Sequence, residues 1–234
     1  DYNKPAVDRR DIIFNVDPLG GRLVVPNQSI IDTYVNPLFP KAIPIVTASA
    51  AGFPERALYE GGPTGRFLMN GEWFYRADPA TGASALPKSS SKDGWKPVTV
   101  PNAWNATDTS TEAFTGAVGW YRKDFRLPSS AKGFAWVLRF ESVNYRSKIY
   151  LNGKLIGKNT GAYLPFEVRV PESVVKRDGT NRLVVRVDSR RQAWDFPPSG
   201  LSISGDPRGG WWNYGGILRE VYLRKIDGID GQAR

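Results

Sequence analysis

Five residues in a short stretch, Asp206, Arg208, Trp211, Trp212 and Asn213, are of the side-chain types that grip a sugar. Aromatic faces stack on the apolar face of a pyranose ring, and charged or amide groups beside them bond its hydroxyls. The two tryptophans follow the loop Ser204 to Gly210 and precede Asn213-Tyr214-Gly215-Gly216. Neighbouring residues of an extended segment face opposite ways, so if one tryptophan packs inward the other faces a rim or a partner. Carbohydrate contact and a packing or interdomain role both fit such a loop, since binding residues favour loops held on a rigid scaffold.

Other chemistry is narrow. The chain has no histidine and no cysteine, which removes Ser-His-Asp and Cys-His nucleophiles and every imidazole or thiolate metal site. Carboxylates, lysine or tyrosine would have to carry any catalysis. No metal and no cofactor is expected. Gly61-Gly62-Pro63-Thr64-Gly65 lacks the spacing and the Lys-Ser/Thr of a phosphate loop and reads as a hinge. Asp227-Gly-Ile-Asp230-Gly lacks the ligand density of a calcium loop and reads as solvated linker. Asn27-Gln-Ser and Asn105-Ala-Thr match the short glycosylation pattern.

A net charge of +9 raises the class of polyanion binders. The basic residues are scattered, however, and the densest clusters are the pairs Arg9-Arg10, Lys176-Arg177 and Arg190-Arg191. No nucleic-acid partner is therefore expected, and a basic face equally suits an acidic partner domain. There is no apolar run long enough for a membrane helix, so no membrane partner is expected. Met69 is the single methionine, so the chain reads as a processed or trimmed product, with export to the periplasm or medium favoured over the cytoplasm.

The elements that must position the tryptophan loop read as β. Strand-like runs fall at 66–76, 96–100, 119–127, 134–143, 146–152, 154–158, 165–170, 182–188 and 217–225. Phe166, Val168 and Val170 share one face, as do Leu183, Val185 and Val187, which predicts one core face and one solvent face. Asn152-Gly153 between apolar runs predicts a two-residue hairpin, because that turn needs positive φ at both central positions. Trp73, Trp120, Trp136, Phe125 and Phe140 sit in strand patterns and are expected in the core. No sustained helical period is present, and Pro171 to Lys176 forms at most one turn. The fold class is all-β: an antiparallel jelly-roll β-sandwich over residues 63–226. An extended, proline-rich arm over residues 1–62 precedes it, with prolines at 5, 18, 26, 37, 40, 44 and 54. Residues 227–234 are a linker toward a missing domain.

Four segments sharpen this reading: GWYRKDF at 119–125, YLNGKLIG at 150–157, GAYLPFEV at 161–168 and WWNYGGILREVYL at 211–223. With the lead-in Arg66 to Phe74 and Pro101-Asn102-Ala103-Trp104, their order resembles the N-terminal sugar-binding domain of glycoside hydrolase family 2, over roughly residues 66–225. That family includes β-galactosidases, β-glucuronidases and β-mannosidases. The resemblance implies a multidomain parent with this jelly roll, an immunoglobulin-like sandwich and a (β/α)₈ barrel. The barrel carries the two glutamates of a retaining mechanism. None of the glutamates at 55, 60, 72, 112, 141, 167, 172 and 220 resembles those motifs, so no catalytic residue is assigned.

The expected function is a non-catalytic sugar-binding and scaffold domain of a retaining exo-β-glycosidase. Its partners would be carbohydrate and the remaining domains of the parent enzyme, through which a homo-oligomer would form. A free-standing carbohydrate-binding module is the alternative, with a polyanion binder third. Two departures from the family pattern bear on specificity. Gly210 stands where several members place an Asp before the aromatic pair, and Ala113-Phe114-Thr115-Gly116 stands where some β-galactosidases have Asn-Pro-Thr-Gly.

Overall fold

The computed structural model describes residues 55–56, 59–60, 65–78, 85–88, 94–128, 134–192, 194–197, 200–201, 207–208 and 211–227. Residues 1–54 of the expected arm and the tail beyond 227 lie outside the described residues. All described residues belong to one compact unit that starts at Ile45.

In chain order the strands are β1 (Glu55–Arg56), β2 (Tyr59–Glu60), β3 (Arg66–Leu68), β4 (Gly71–Ala77), β5 (Lys96–Val100) and β6 (Val118–Phe125). They continue with β7 (Phe134–Phe140), β8 (Val143–Asn144), β9 (Arg146–Leu151), β10 (Lys154–Thr160), β11 (Phe166–Val170) and β12 (Asn181–Asp188). The last four are β13 (Gly200–Leu201), β14 (Pro207–Arg208), β15 (Gly216–Ile217) and β16 (Val221–Asp227). One helical turn, α1 (Thr111–Thr115), is capped by Ser110, whose hydroxyl accepts from the Ala113 amide.

The larger sheet runs β10-β9-β12-β6-β4-β5, with β1 added in parallel to β6, and the smaller runs β11-β7-β16-β3-β2. All the other pairings are antiparallel. The chain crosses between the two sheets at β3–β4, β6–β7, β10–β11 and β11–β12, as in a jelly roll. Alternation explains the layer between them: Trp73, Tyr121, Phe125, Trp136, Leu138, Phe140, Ile149, Leu183, Val185 and Leu223 come from both sheets and are buried together. The hairpin forms as expected, with Leu151 opposite Lys154 and φ of 49° at Asn152 and 86° at Gly153.

Two expectations change. The run at 66–76 is two strands in different sheets, because the chain turns a corner at Met69-Asn70: the Met69 amide donates to the Val221 carbonyl and the Asn70 side chain accepts from the Val221 amide. β2 and β3 pair antiparallel, with Tyr59 opposite Leu68 and Glu60 opposite Phe67; Gly61 to Thr64, read as a hinge, lie outside the described residues. The larger sheet is also not simply core on one side and solvent on the other. All eight residues of β6 are buried, and Trp120 packs on the outer face with Phe74, Trp95 and Val184. On the same strand Arg122 and Asp124 form a buried bidentate pair at 2.9 and 2.8 Å.

Candidate functional site

One end of the sandwich gathers five segments around a single amide. Asn213, in the extended stretch before β15, has no exposed surface. Its Nδ2 donates to the carbonyls of Phe114 (3.0 Å) and Ser189 (2.9 Å), and its Oδ1 accepts from Asn144 Nδ2 (3.2 Å) and Arg191 Nε (3.1 Å). That uses both donors and both acceptor positions of the amide.

Two further asparagines complete the tie. Asn105 donates to the carbonyls of Ala113 and Asn213, both at 2.9 Å, and accepts from the Gly215 amide at 2.9 Å. Asn144 donates to the Tyr214 carbonyl and accepts from Arg191 Nη2 at 3.0 Å. The short stretch after β5, the end of α1, the crossover before β9, the segment after β12 and the tryptophan segment are thereby locked together. Asn105 is buried with its amide engaged, so the glycosylation pattern there marks a structural residue.

Arg191 is the cation of the group. Its guanidinium carbon lies 4.0 Å from the Tyr145 ring centroid and 4.4 Å from that of Trp211. The same group donates to the carbonyls of Phe196 and Pro197 at 3.4 Å. Burial pushes Arg191 below its ordinary value.

Trp211 and Trp212 diverge as adjacent extended residues must. The Trp211 Nε1 donates to the Tyr163 hydroxyl, with the rings edge-on at 6.1 Å. Trp212 packs on Phe114 at 5.3 Å. Both tryptophans keep partial exposure while Asn213 between them and β15 keeps none. Asn213, expected to meet sugar hydroxyls, is thus placed beneath the surface as the tie between loops. Arg208 lies in β14, paired with Gly200; Asp206 and Gly210 lie outside the described residues.

Beside this end a shallow cleft of about 410 Å³ is lined by Pro101, Asn102, Ala103, Ala106, Tyr214 and Leu218. Gly215 permits the close packing at its edge: a Cβ there would stand 2.4 Å from the Trp104 ring. Sequence reasoning missed Tyr145, Tyr163, Arg191, Asn105 and Asn144. Arg191 registered only as half of a basic pair, and an asparagine carries no local sign of being buried.

Residues 68–227 match the family described as glycosyl hydrolases family 2, sugar binding domain. The chain belongs to this family. It is 36% identical over 110 residues to a β-galactosidase of Thermoanaerobacter pseudethanolicus, covering 47% of this chain and 14% of that protein. It is 28% identical over 177 residues to a β-galactosidase of Bacteroides ovatus, covering 71% and 19%. A solved β-glucuronidase from an uncultured Clostridium superposes with a TM-score of 0.56 at 28% identity, over 73% of this chain and 30% of that one. The chain therefore spans less than a third of the length of each of these relatives. Within the family domain, the segments that carried the resemblance become β6, the β9–β10 hairpin, the Tyr163 loop with β11, and the tryptophan segment with β15 and β16.

Proposed function

We propose that this chain is the non-catalytic sugar-binding and scaffold portion of a retaining exo-β-glycosidase whose reacting carboxylates lie elsewhere in the parent polypeptide. The observation that carries this reading is the family match over residues 68–227 in a chain that covers only 14–30% of the relatives described above. The relatives' names make galactosides and glucuronides the first substrates to test. In this reading Trp211 and Trp212, with Asp206 and Arg208 from the preceding loop, form one wall of the substrate pocket. Asn213 holds that wall from beneath.

Ion pairing supports a structural role for Glu141, Glu167 and Glu172. Arg139 binds both Glu141 and Glu167, Arg224 also binds Glu167, and Arg177 binds Glu172. The Arg139 hydrogen bond holds Glu141 below its ordinary value, whereas a general acid needs its pKa raised. In an assay with aryl β-galactosides and β-glucuronides, the 234-residue chain should release no aglycone above a buffer control, and the full reading frame should release it. Hydrolysis by the chain alone would overturn the non-catalytic part.

A second reading, a free-standing carbohydrate-binding module, is favoured by the open cleft beside Tyr214. Calorimetric titration of the chain with oligosaccharides separates the two: saturable heat supports the module, and its absence supports the scaffold.

A further inference from the structure

Away from the loop end, one part of the larger sheet carries a charge excess. Strands β9, β10 and β12 contain Arg146, Lys148, Lys154, Lys158, Arg182 and Arg186, against a single carboxylate, Asp188. Each of the arginines has an acidic partner: Arg146 meets Asp195, Arg182 meets Asp124, and Arg186 lies 3.6 and 3.7 Å from Asp78 and Asp188. Asp188 is also held by Arg190 through Nε at 2.9 Å and Nη2 at 2.7 Å. The three lysines are exposed, and among the described residues none of them has a carboxylate within ion-pairing distance.

Register puts two of these lysines together. Ile149 and Leu151 belong to the core, so Lys148 and Tyr150 face outward. On β10 the inward position is Gly157, where a Cβ would stand 2.6 Å from a Val168 methyl of β11, so Lys158 faces outward too. Lys158 lies directly opposite Lys148, and Leu155 directly opposite Tyr150. Like charges in that relation destabilise a sheet. Lysine on an edge strand guards against edge pairing, which accounts for Lys154 and Lys158. Lys148 sits one strand inward, between β10 and β12, where there is no edge to guard. Beside the lysine pair, half-buried Tyr150 packs on Trp120 with ring centroids 6.1 Å apart, and Leu155 is 45% exposed.

We infer that the outer face of the β9–β10 hairpin is a binding surface for a uronate-bearing glycan, separate from the tryptophan segment. A carboxylate sits between the ammonium groups of Lys148 and Lys158, and the pyranose ring lies on Tyr150 and Leu155. In a uronate the acid is on the edge of a ring whose face is apolar. The protein offers the matching arrangement, since Lys148 and Tyr150 are two residues apart on one face of β9, about 7 Å. An aromatic face takes the apolar side of the sugar, and a lysine ammonium is a point charge suited to a lone carboxylate. Single-stranded nucleic acid is held instead in a charged groove with successive stacking rings, whereas here the unpaired cations lie on two strands beside one tyrosine. The inference does not depend on the parentage proposed above.

Calorimetric titration of the 234-residue chain with a galacturonate hexamer, and with the same hexamer as its methyl ester, tests the surface. The charged hexamer should bind about tenfold or more tightly than the ester, and more weakly as salt is added. Lys148→Ser with Lys158→Ser should weaken binding of the charged hexamer by about tenfold or more, the scale of two lost charge-assisted contacts. That variant should melt no lower than the parent chain, because two opposed like charges are removed. Lys88→Ser with Lys96→Ser, an equal change of charge at exposed residues on other segments, should bind as the parent chain does. Undiminished binding by the Lys148 and Lys158 variant, an equal loss in the Lys88 and Lys96 variant, or equal affinity for the ester would each overturn the surface. Tighter binding of a single-stranded oligonucleotide, lost in the Lys148 and Lys158 variant, would make the occupant a nucleic acid and overturn the glycan. None of these measurements involves hydrolysis, so their failure leaves the glycosidase reading untouched.

Discussion

At the scale of single residues, Asn213, expected at a sugar contact, is a buried amide that ties loops together. The Asn213 side chain has four hydrogen-bond partners, and Asn213→Ala would take the donor from the Phe114 and Ser189 carbonyls and one of several acceptors from the Arg191 guanidinium. Each buried polar group stranded this way costs about 1–3 kcal/mol, so a net loss of about 2–4 kcal/mol is expected in urea unfolding. Asn213→Asp is the sharper variant. It brings an anion to Arg191 but replaces both donors by an acceptor facing two carbonyls, so it too should destabilise; a stabilised aspartate variant would sink this account of the tie. Arg191 shows the same principle from the other side. Its place between Tyr145 and Trp211 follows from ring geometry that neither its sequence neighbours nor the basic pair it belongs to announces.

At the scale of elements, short-range signals were dependable where the physics is local. The Asn152-Gly153 turn formed where positive φ was demanded, and no atom lies within 4 Å of the position a Cβ would take at Gly153. Gly153→Ala should therefore cost about 1–2 kcal/mol in stability from backbone strain alone, without disturbing packing. A melting temperature equal to the parent's would count against strain at that turn. Strands β11 and β12 likewise followed their alternation. The runs at 66–76 and 217–225 were legible as strands but not as two strands each, since the corners at Met69-Asn70 and Leu218-Glu220 are set by bonds to distant segments. The Leu218 amide donates to Ser142, and the Glu141 amide to Glu220.

At the scale of the whole molecule, the larger sheet buries charge as well as apolar surface. Asp124→Ala would leave the Arg122 guanidinium buried without its bidentate partner, and breaking such a pair costs about 3–5 kcal/mol. Replacing both residues with leucine should recover much of that loss, which a double-mutant cycle of unfolding free energies would measure. Two arginine-paired carboxylates contribute to the acid limb. The hydrogen bond from Arg139 is the main cause holding Glu141 below its ordinary 4.5. At Asp188 burial acts to raise the value, but the Arg190 pair overcomes it and holds the group below 3.8. A lowered carboxylate stabilises fully above its unfolded pKa and loses that contribution as pH falls through the folded one. With no histidine to titrate, thermal stability should be flat between about pH 5.5 and 7.5 and fall below about pH 4. Asp188→Asn with Glu141→Gln should shallow the acid limb, as melting curves from pH 3 to 8 would record.

The amino-acid sequence by itself determined the family, the β class, the hairpin and most strand positions, because alternation and turn chemistry act between residues a few places apart. Only the tertiary structure decided what the tryptophan segment is attached to. Asn213 meets its partners across 99, 69, 24 and 22 positions of chain, and over such separations an asparagine at a sugar rim and an asparagine tying loops together read alike until the fold brings its partners into range.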